Sequence, residues 1–275
     1  MLIDTYHENW LSDLHERTSQ LGGRTQIYLL IDGVFVPGLY RQVRKAVPAP
    51  EVTLLFETLP ACSDKVRDVS PFLVRYDATV TGLDKVLGLC SGSPMVSAIE
   101  TEETLAQLTE RLAAWCVVYS DGQRFNFRFP DTRRLPGIFS ALRADQRAQL
   151  VGPATRWAYI DREGGWKELH VPMVDSPVVQ DRPELDDDQF GMMVSDNEVD
   201  SMLVRISRRQ HLPDEKPSHL HATISLALRV AEAQTLDENL LIDWCEECLV
   251  HSVLPDEIDM AKRMIEWRQS VAAVE

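Results

Sequence analysis

The spacing of apolar residues changes character within one stretch, Arg124 to Leu142. Phe125, Phe127 and Phe129 alternate with Arg124, Asn126 and Arg128, the period-two pattern of a half-buried strand. Pro130 and Asp131 interrupt it, and Asp131 is placed to cap the next element. Leu135, Ile138, Phe139 and Leu142 then fall on one helical face. Pro136 is tolerated only in a first turn, so this helix begins near Leu135. The stretch predicts strand, polar corner and helix, with Arg124, Arg128, Arg133 and Arg134 around the corner.

The rest of the first two thirds alternates between short apolar runs and helical spacing. Tyr6, Trp10, Leu14 and Arg17 predict a helix over 5–20 that stops at Gly22-Gly23. Strands are expected at 26–32, 52–56, 71–76, 95–99 and 115–119, with short helices at 39–46 and 63–69. Three glycines weaken any helix within 77–93. Thr101 is expected to cap a helix bearing Leu105, Leu108 and Leu112. Asp121-Gly122 signals one hairpin, and Glu163-Gly164-Gly165 joins strands at 156–160 and 166–170. Residues 171–187 contain three prolines and no periodicity, so they read as a linker. Beyond them strand signals cease, and 188–210, 218–234, 237–250 and 256–271 have helical patterns broken at Pro213, Pro217 and Pro255.

The fold class expected is therefore α+β: a mixed β-sheet with packed helices over 1–175, followed by an all-helical lobe over 185–275. The chain's 275 residues suffice for two such domains.

Charge sharpens this division. The chain carries 43 acidic against 28 basic residues, a net of −15. Residues 181–275 hold 21 acids and 9 bases, whereas 121–170 reverse the sign with 6 acids and 9 bases. An acidic protein is unsuited to nucleic acid or to an anionic membrane surface. The acidic lobe serves solubility or steers a basic partner. No 18-residue apolar run and no signal-peptide pattern is present, and the five cysteines are irregularly spaced. The expected location is cytoplasmic.

The sequence contains no nucleophile elbow, zinc-protease helix, phosphate loop or dinucleotide fingerprint. Cys90 to Pro94 (CSGSP) reads as a glycine turn before a strand. Cys245 and Cys248 with His251 have spacing that can hold zinc, with His219 or His221 as a fourth ligand, but the smooth amphipathic pattern of 239–250 favours small core positions for the cysteines. Asp32, Glu57 and Asp77 each come after a strand and would form a carboxylate cluster if the strand ends converge. No cofactor and no metal is expected.

Motifs spread in order through the first lobe resemble the type VI secretion effector adaptors, or effector chaperones (the Tap/TEC family). Tyr28 to Asp32 (YLLID) is similar to the family's opening strand, and Leu39-Tyr40 to the short motif after it. Leu54 to Glu57 with Leu59-Pro60, then Pro71 to Val74, resemble its next strands. Glu103 to Leu105 with Leu108 and Leu112 resemble its leucine-bearing helix. Phe127, Arg128, Phe129, Asp131, Arg133 and Leu135 resemble its aromatic-Arg-aromatic and Asp-Pro-Arg signature, although here Pro130 precedes the aspartate. Gly152-Pro153 before Trp157 fits its closing strand. The resemblance spans about 26–170.

It implies a non-enzymatic protein that binds a cargo effector in the bacterial cytoplasm and loads it onto the VgrG spike or its PAAR tip. On that reading Arg128, Arg133 and Arg134 are candidates for partner contact, although Arg128 is expected first to pair with Asp131 and lock the turn; Arg133 and Arg134 are expected to be exposed. Trp166, Trp244 and Trp267 are either contact anchors or core. Trp267, Ile258 and Met264 would form an apolar stripe on the last helix. Two readings of other classes stand beside it: an immunity-type protein masking a basic toxin, and an enzyme using Asp32, Glu57 and Asp77.

Overall fold

A computed structural model describes residues 2–58, 62–171, 183–250 and 256–272. The chain divides into two compact units, Met1–Met193 and Val194–Glu275.

The first unit begins with an extended arm and α1 (Trp10–Gln20). The helix does not reach back to residue 5, because Tyr6 is engaged elsewhere. Its amide donates to Ser91 Oγ at 2.9 Å and its hydroxyl to the Ser93 carbonyl at 3.1 Å. Next come β1 (Gln26–Asp32), α2 (Leu39–Ala46), β2 (Val52–Leu54), α3 (Asp64–Val69), β3 (Pro71–Arg75) and α4 (Leu83–Leu87). The run from β2 turns into a 3₁₀ helix at Leu55–Thr58. β4 (Val96–Thr101) runs on to Thr101, so Thr104 caps α5 (Leu105–Ala114) in its place. Thr104 and Gln107 form a reciprocal capping box.

The hairpin of β5 (Val117–Ser120) and β6 (Gln123–Asn126) is next. Asp121 and Gly122 both have positive φ, +50° and +73°, as a two-residue primed turn requires. α6 (Leu135–Ala141), α7 (Ala144–Val151), β7 (Arg156–Ile160) and β8 (Trp166–Glu168) complete the series.

Six strands form one sheet in the order β2-β3-β1-β4-β7-β8, and every pairing is antiparallel. β1 is the central strand, with helices over both faces. Ile27, Leu29 and Ile31 face a core shared with Leu14, Leu39, Val43, Leu83 and Leu87. Tyr28 and Leu30 face a second core with Leu108, Leu112, Phe129, Ile138, Leu150 and Trp157. Burial on both faces explains why β1 reads as an unbroken apolar run instead of an alternating one.

The spacing of α8 (Asp187–Ser195) groups it with the helical lobe, yet residues up to Met193 belong to the first unit. Tyr119 bridges Glu184, and Leu185 is buried in the second core. Gln189, 4% exposed, donates to the Ala141 carbonyl at 2.9 Å and to Gln146 Oε1 at 2.6 Å. Of the expected linker, 172–182 lie outside the described residues.

The second unit contains α9 (Glu198–Arg209), α10 (Pro217–Glu232), α11 (Glu238–Leu249) and α12 (Glu257–Ala272). Its core joins Met202, Ile206, Ile224, Ala227, Trp244, Cys245, Met260 and Met264. The second region is all helical among the described residues, as the loss of strand signals predicts. The single helix expected over 188–210 is two, divided at Asp196-Asn197.

Candidate functional site

The candidate site lies where β1 ends and the arginine-bearing corner meets it. Residues Phe127 to Phe129 continue from β6 without its ladder, apart from the Phe127 amide donating to the Cys116 carbonyl at 2.9 Å. The alternation nevertheless holds. Phe127 and Phe129 are buried, Phe125 half-buried, and Arg124, Asn126 and Arg128 exposed. Trp115, Phe127, Phe129 and Trp157 form a chain of rings with centroids 6.0, 6.3 and 6.4 Å apart, which anchors the corner from below.

Backbone hydrogen bonds then fix the corner against the sheet. The Thr132 amide donates to the Pro94 carbonyl at 3.0 Å, and the Asp32 amide to the Met95 carbonyl at 2.9 Å. Both groups therefore hang on the segment leading into β4. Gly33 continues from Asp32 at a close approach, since a Cβ there would lie 2.5 Å from the Ser70 carbonyl oxygen.

Each acid at this corner is held by one arginine, in pairings the sequence does not indicate. Asp32 is 1% exposed, and Arg128 Nη2 donates to its Oδ2 at 2.5 Å. Arg128 thus pairs with Asp32 and not with Asp131. Arg133 grips Asp131 in a fork, Nε to Oδ1 at 3.1 Å and Nη2 to Oδ2 at 2.8 Å, and its amide also donates to Oδ1. The Arg133 side chain is 13% exposed, so it is internal and not the exposed residue expected. Asp131 does not cap α6. Its carboxylate is committed to Arg133, and Arg134 occupies the capping position without a side-chain capping bond to the helix.

Phe35 escapes sequence reasoning. Arg128 and Arg133 each place a guanidinium 5.7 Å from its ring centre. A lone aromatic in a turn after Asp32-Gly33 carries no periodic signal. Arg128 remains 44% exposed, and Asp32 is its one hydrogen-bond acceptor among the described residues. A guanidinium has five N–H donors, so most of Arg128's donors face outward, beside an aromatic ring. The corner is suited to receiving a carboxylate from another molecule.

Burial pushes the Asp32 carboxyl up from its ordinary value. Arg128 and the Val34 amide pull it back in part, and the neighbouring Asp131 adds to the rise. The folded protein therefore keeps this proton to higher pH than the unfolded chain. The stability the group contributes is full below the unfolded value of about 3.9 and is lost as pH rises through the raised folded value. Denaturation midpoints measured upward from about pH 4 should show the wild type losing stability relative to Asp32→Asn. A constant difference between the two would contradict the shift.

The three acids that would cluster if their strand ends converged do not come together. Neighbouring strands of an antiparallel sheet finish at opposite ends of the sheet. Asp32 pairs with Pro71 at one end of β3, whereas Asp77 lies beyond Arg75 at the other. Glu57 lies two strands away from Asp32, after β2, and pairs with Arg67 at 3.1 Å on the surface. Asp77 is exposed and accepts from the Thr79 hydroxyl at 2.6 Å.

The tryptophans are spread between the units. Trp166 is half-buried, donates to the Trp10 carbonyl at 2.8 Å and lies under Arg17. Trp244 is fully buried in the second unit and donates to the Ala227 carbonyl at 3.0 Å. Trp267 is half-buried against it, with ring centres 5.5 Å apart. Met264 is core, but Ile258 is 67% exposed, so the expected stripe on α12 is divided between two faces. Cys245 and Cys248 are also core, where burial pushes the Cys245 thiol up to about 12 and Cys248 higher still. Among the described residues no three His, Cys, Asp or Glu side chains are grouped to hold a metal ion.

Comparison with known proteins bears on the interval that contains the corner. Residues 27–149 match DUF4123, a domain of unknown function. No curated protein and no solved structure matches the chain. The DUF4123 match lies wholly in the first unit and includes Asp32, Phe35, Arg128, Asp131 and Arg133. It runs from the second residue of β1 into α7. No helix among the described residues is long and apolar enough to cross a membrane.

Proposed function

We propose that the protein is a non-enzymatic type VI secretion adaptor, which binds a cargo effector in the bacterial cytoplasm and loads it onto the VgrG spike or PAAR tip. The DUF4123 match over 27–149 falls within the resemblance over about 26–170. The observation that carries the reading is Arg128. It is pinned to a buried aspartate, lies beside Phe35, and still presents unused donors to solvent. Each corner carboxylate is already held by a guanidinium, an arrangement for holding a shape and not for moving a proton. The partner docks at the corner through its own carboxylates.

Co-purification from the native bacterium tests this. The tagged chain should bring down both a spike protein and an effector, and deleting the chain should strip the effector from the spike. Recovery of a toxin domain alone would favour an immunity-type protein. Recovery of no protein partner would end the loader reading.

A further inference from the structure

The second unit carries an open pocket of about 380 Å³ between α11 and α12. That is within the range of about 300–1,000 Å³ typical of ligand sites. Trp244 and Cys248 close its base and are themselves fully buried. Trp267 forms a wall and is the accessible ring, held in place by Trp244 behind it. Arg263, one helical turn before Trp267, lines the pocket, and its Nη1 is buried with no hydrogen-bond partner. Glu247 and Glu266 stand exposed at the rim.

These groups specify an occupant. An indole wall favours a planar or apolar side chain. The Arg263 Nη1, which has no acceptor, calls for a carbonyl oxygen. Two rim carboxylates outweigh the single arginine, and residues 194–275 as a whole hold 16 acids against 8 bases. A free anion is therefore disfavoured, and a basic flank is attracted.

We propose that this pocket takes an aromatic side chain flanked by Lys or Arg, from an extended segment of a partner protein. The aromatic ring packs on Trp267, a backbone carbonyl accepts from Arg263, and a flanking cation pairs with Glu266. This gives the loader reading the chemistry of a second contact, and it rests on that reading for the partner being a protein.

The test uses the full chain and three fluorescein-labelled, end-blocked peptides: Gly-Lys-Phe-Arg-Gly, Gly-Glu-Phe-Glu-Gly and Gly-Lys-Ser-Arg-Gly. Fluorescence anisotropy should show the first binding at least about tenfold more tightly than the other two, a gap of about 1.4 kcal/mol. Glu266→Lys, at an exposed position, should weaken it about tenfold with the helical circular dichroism unchanged. Equal binding of the serine peptide would reduce the site to bulk charge. Preference for the glutamate peptide would make Arg263 an anion site. Indifference to Glu266→Lys, or no binding at all, would also overturn the proposal. None of these results alters what co-purifies from the bacterium, so failure of the pocket and failure of the loader reading are separable.

Discussion

Replacing Arg111 with methionine should destabilise the first unit by about 3–5 kcal/mol, the usual cost of leaving one partner of a buried ion pair alone. Arg111 is 4% exposed, although it is on α5. Its Nε donates to Glu103 Oε1 at 2.9 Å, its Nη2 bonds Glu103 Oε2, and its Nη1 bonds the Leu150 carbonyl. The arginine ties the entry of α5 to the end of α7. Gly152 leaves space for it, because a Cβ at that position would collide with the guanidinium. Removing Arg111 strands the Glu103 carboxylate, 11% exposed, and the Leu150 carbonyl together. Pairing Arg111→Met with Glu103→Gln removes the stranded charge and should recover part of the loss. Urea denaturation midpoints decide it. A shift within about 0.5 kcal/mol, as at an ordinary surface position, would show that the pair contributes little.

The second large effect is expected at Phe129. Truncation of a buried phenylalanine to alanine costs about 3–5 kcal/mol, and Phe129 is fully buried in the middle of the Trp115–Phe127–Phe129–Trp157 chain. It also immediately precedes the corner. With its ring gone, Pro130 to Arg133 lose their anchor, so Phe129→Ala should lower partner recovery as well as stability. Phe125→Ala is the control. Phe125 is half-buried against Phe190, 4.7 Å away, and should cost less and leave the corner intact. Equal losses from both variants would mean that the alternation has no inward-facing anchor at Phe129.

Local pattern carries most of the fold. β1, α2 and α3 arise within a residue of where the sequence places them, and Ser63 accepts from the Val66 amide at the start of α3. The departures have long-range causes. Thr101 stays in β4 because that strand is paired on both sides, leaving the cap to Thr104. Residues 187–193 carry helical spacing, but spacing does not say which core a helix joins; the Gln189–Gln146 bonds do. The corner is visible in the sequence as a concentration of arginines, but its wiring is not. Asp32 and Arg128 are 96 residues apart, and backbone bonds from Asp32 and Thr132 to Met95 and Pro94, beside the antiparallel sheet, bring them together. The same antiparallel order separates Asp77 from Asp32, which strand-end positions alone suggest are neighbours.

The most direct test neutralises the corner without orphaning a charge. Asp32→Asn combined with Arg128→Gln keeps a hydrogen-bonding pair and removes both charges. The double variant should fold and should recover its partner from the native bacterium at least about tenfold less than the wild type does. Undiminished recovery by the folded double variant would contradict the corner as the docking surface.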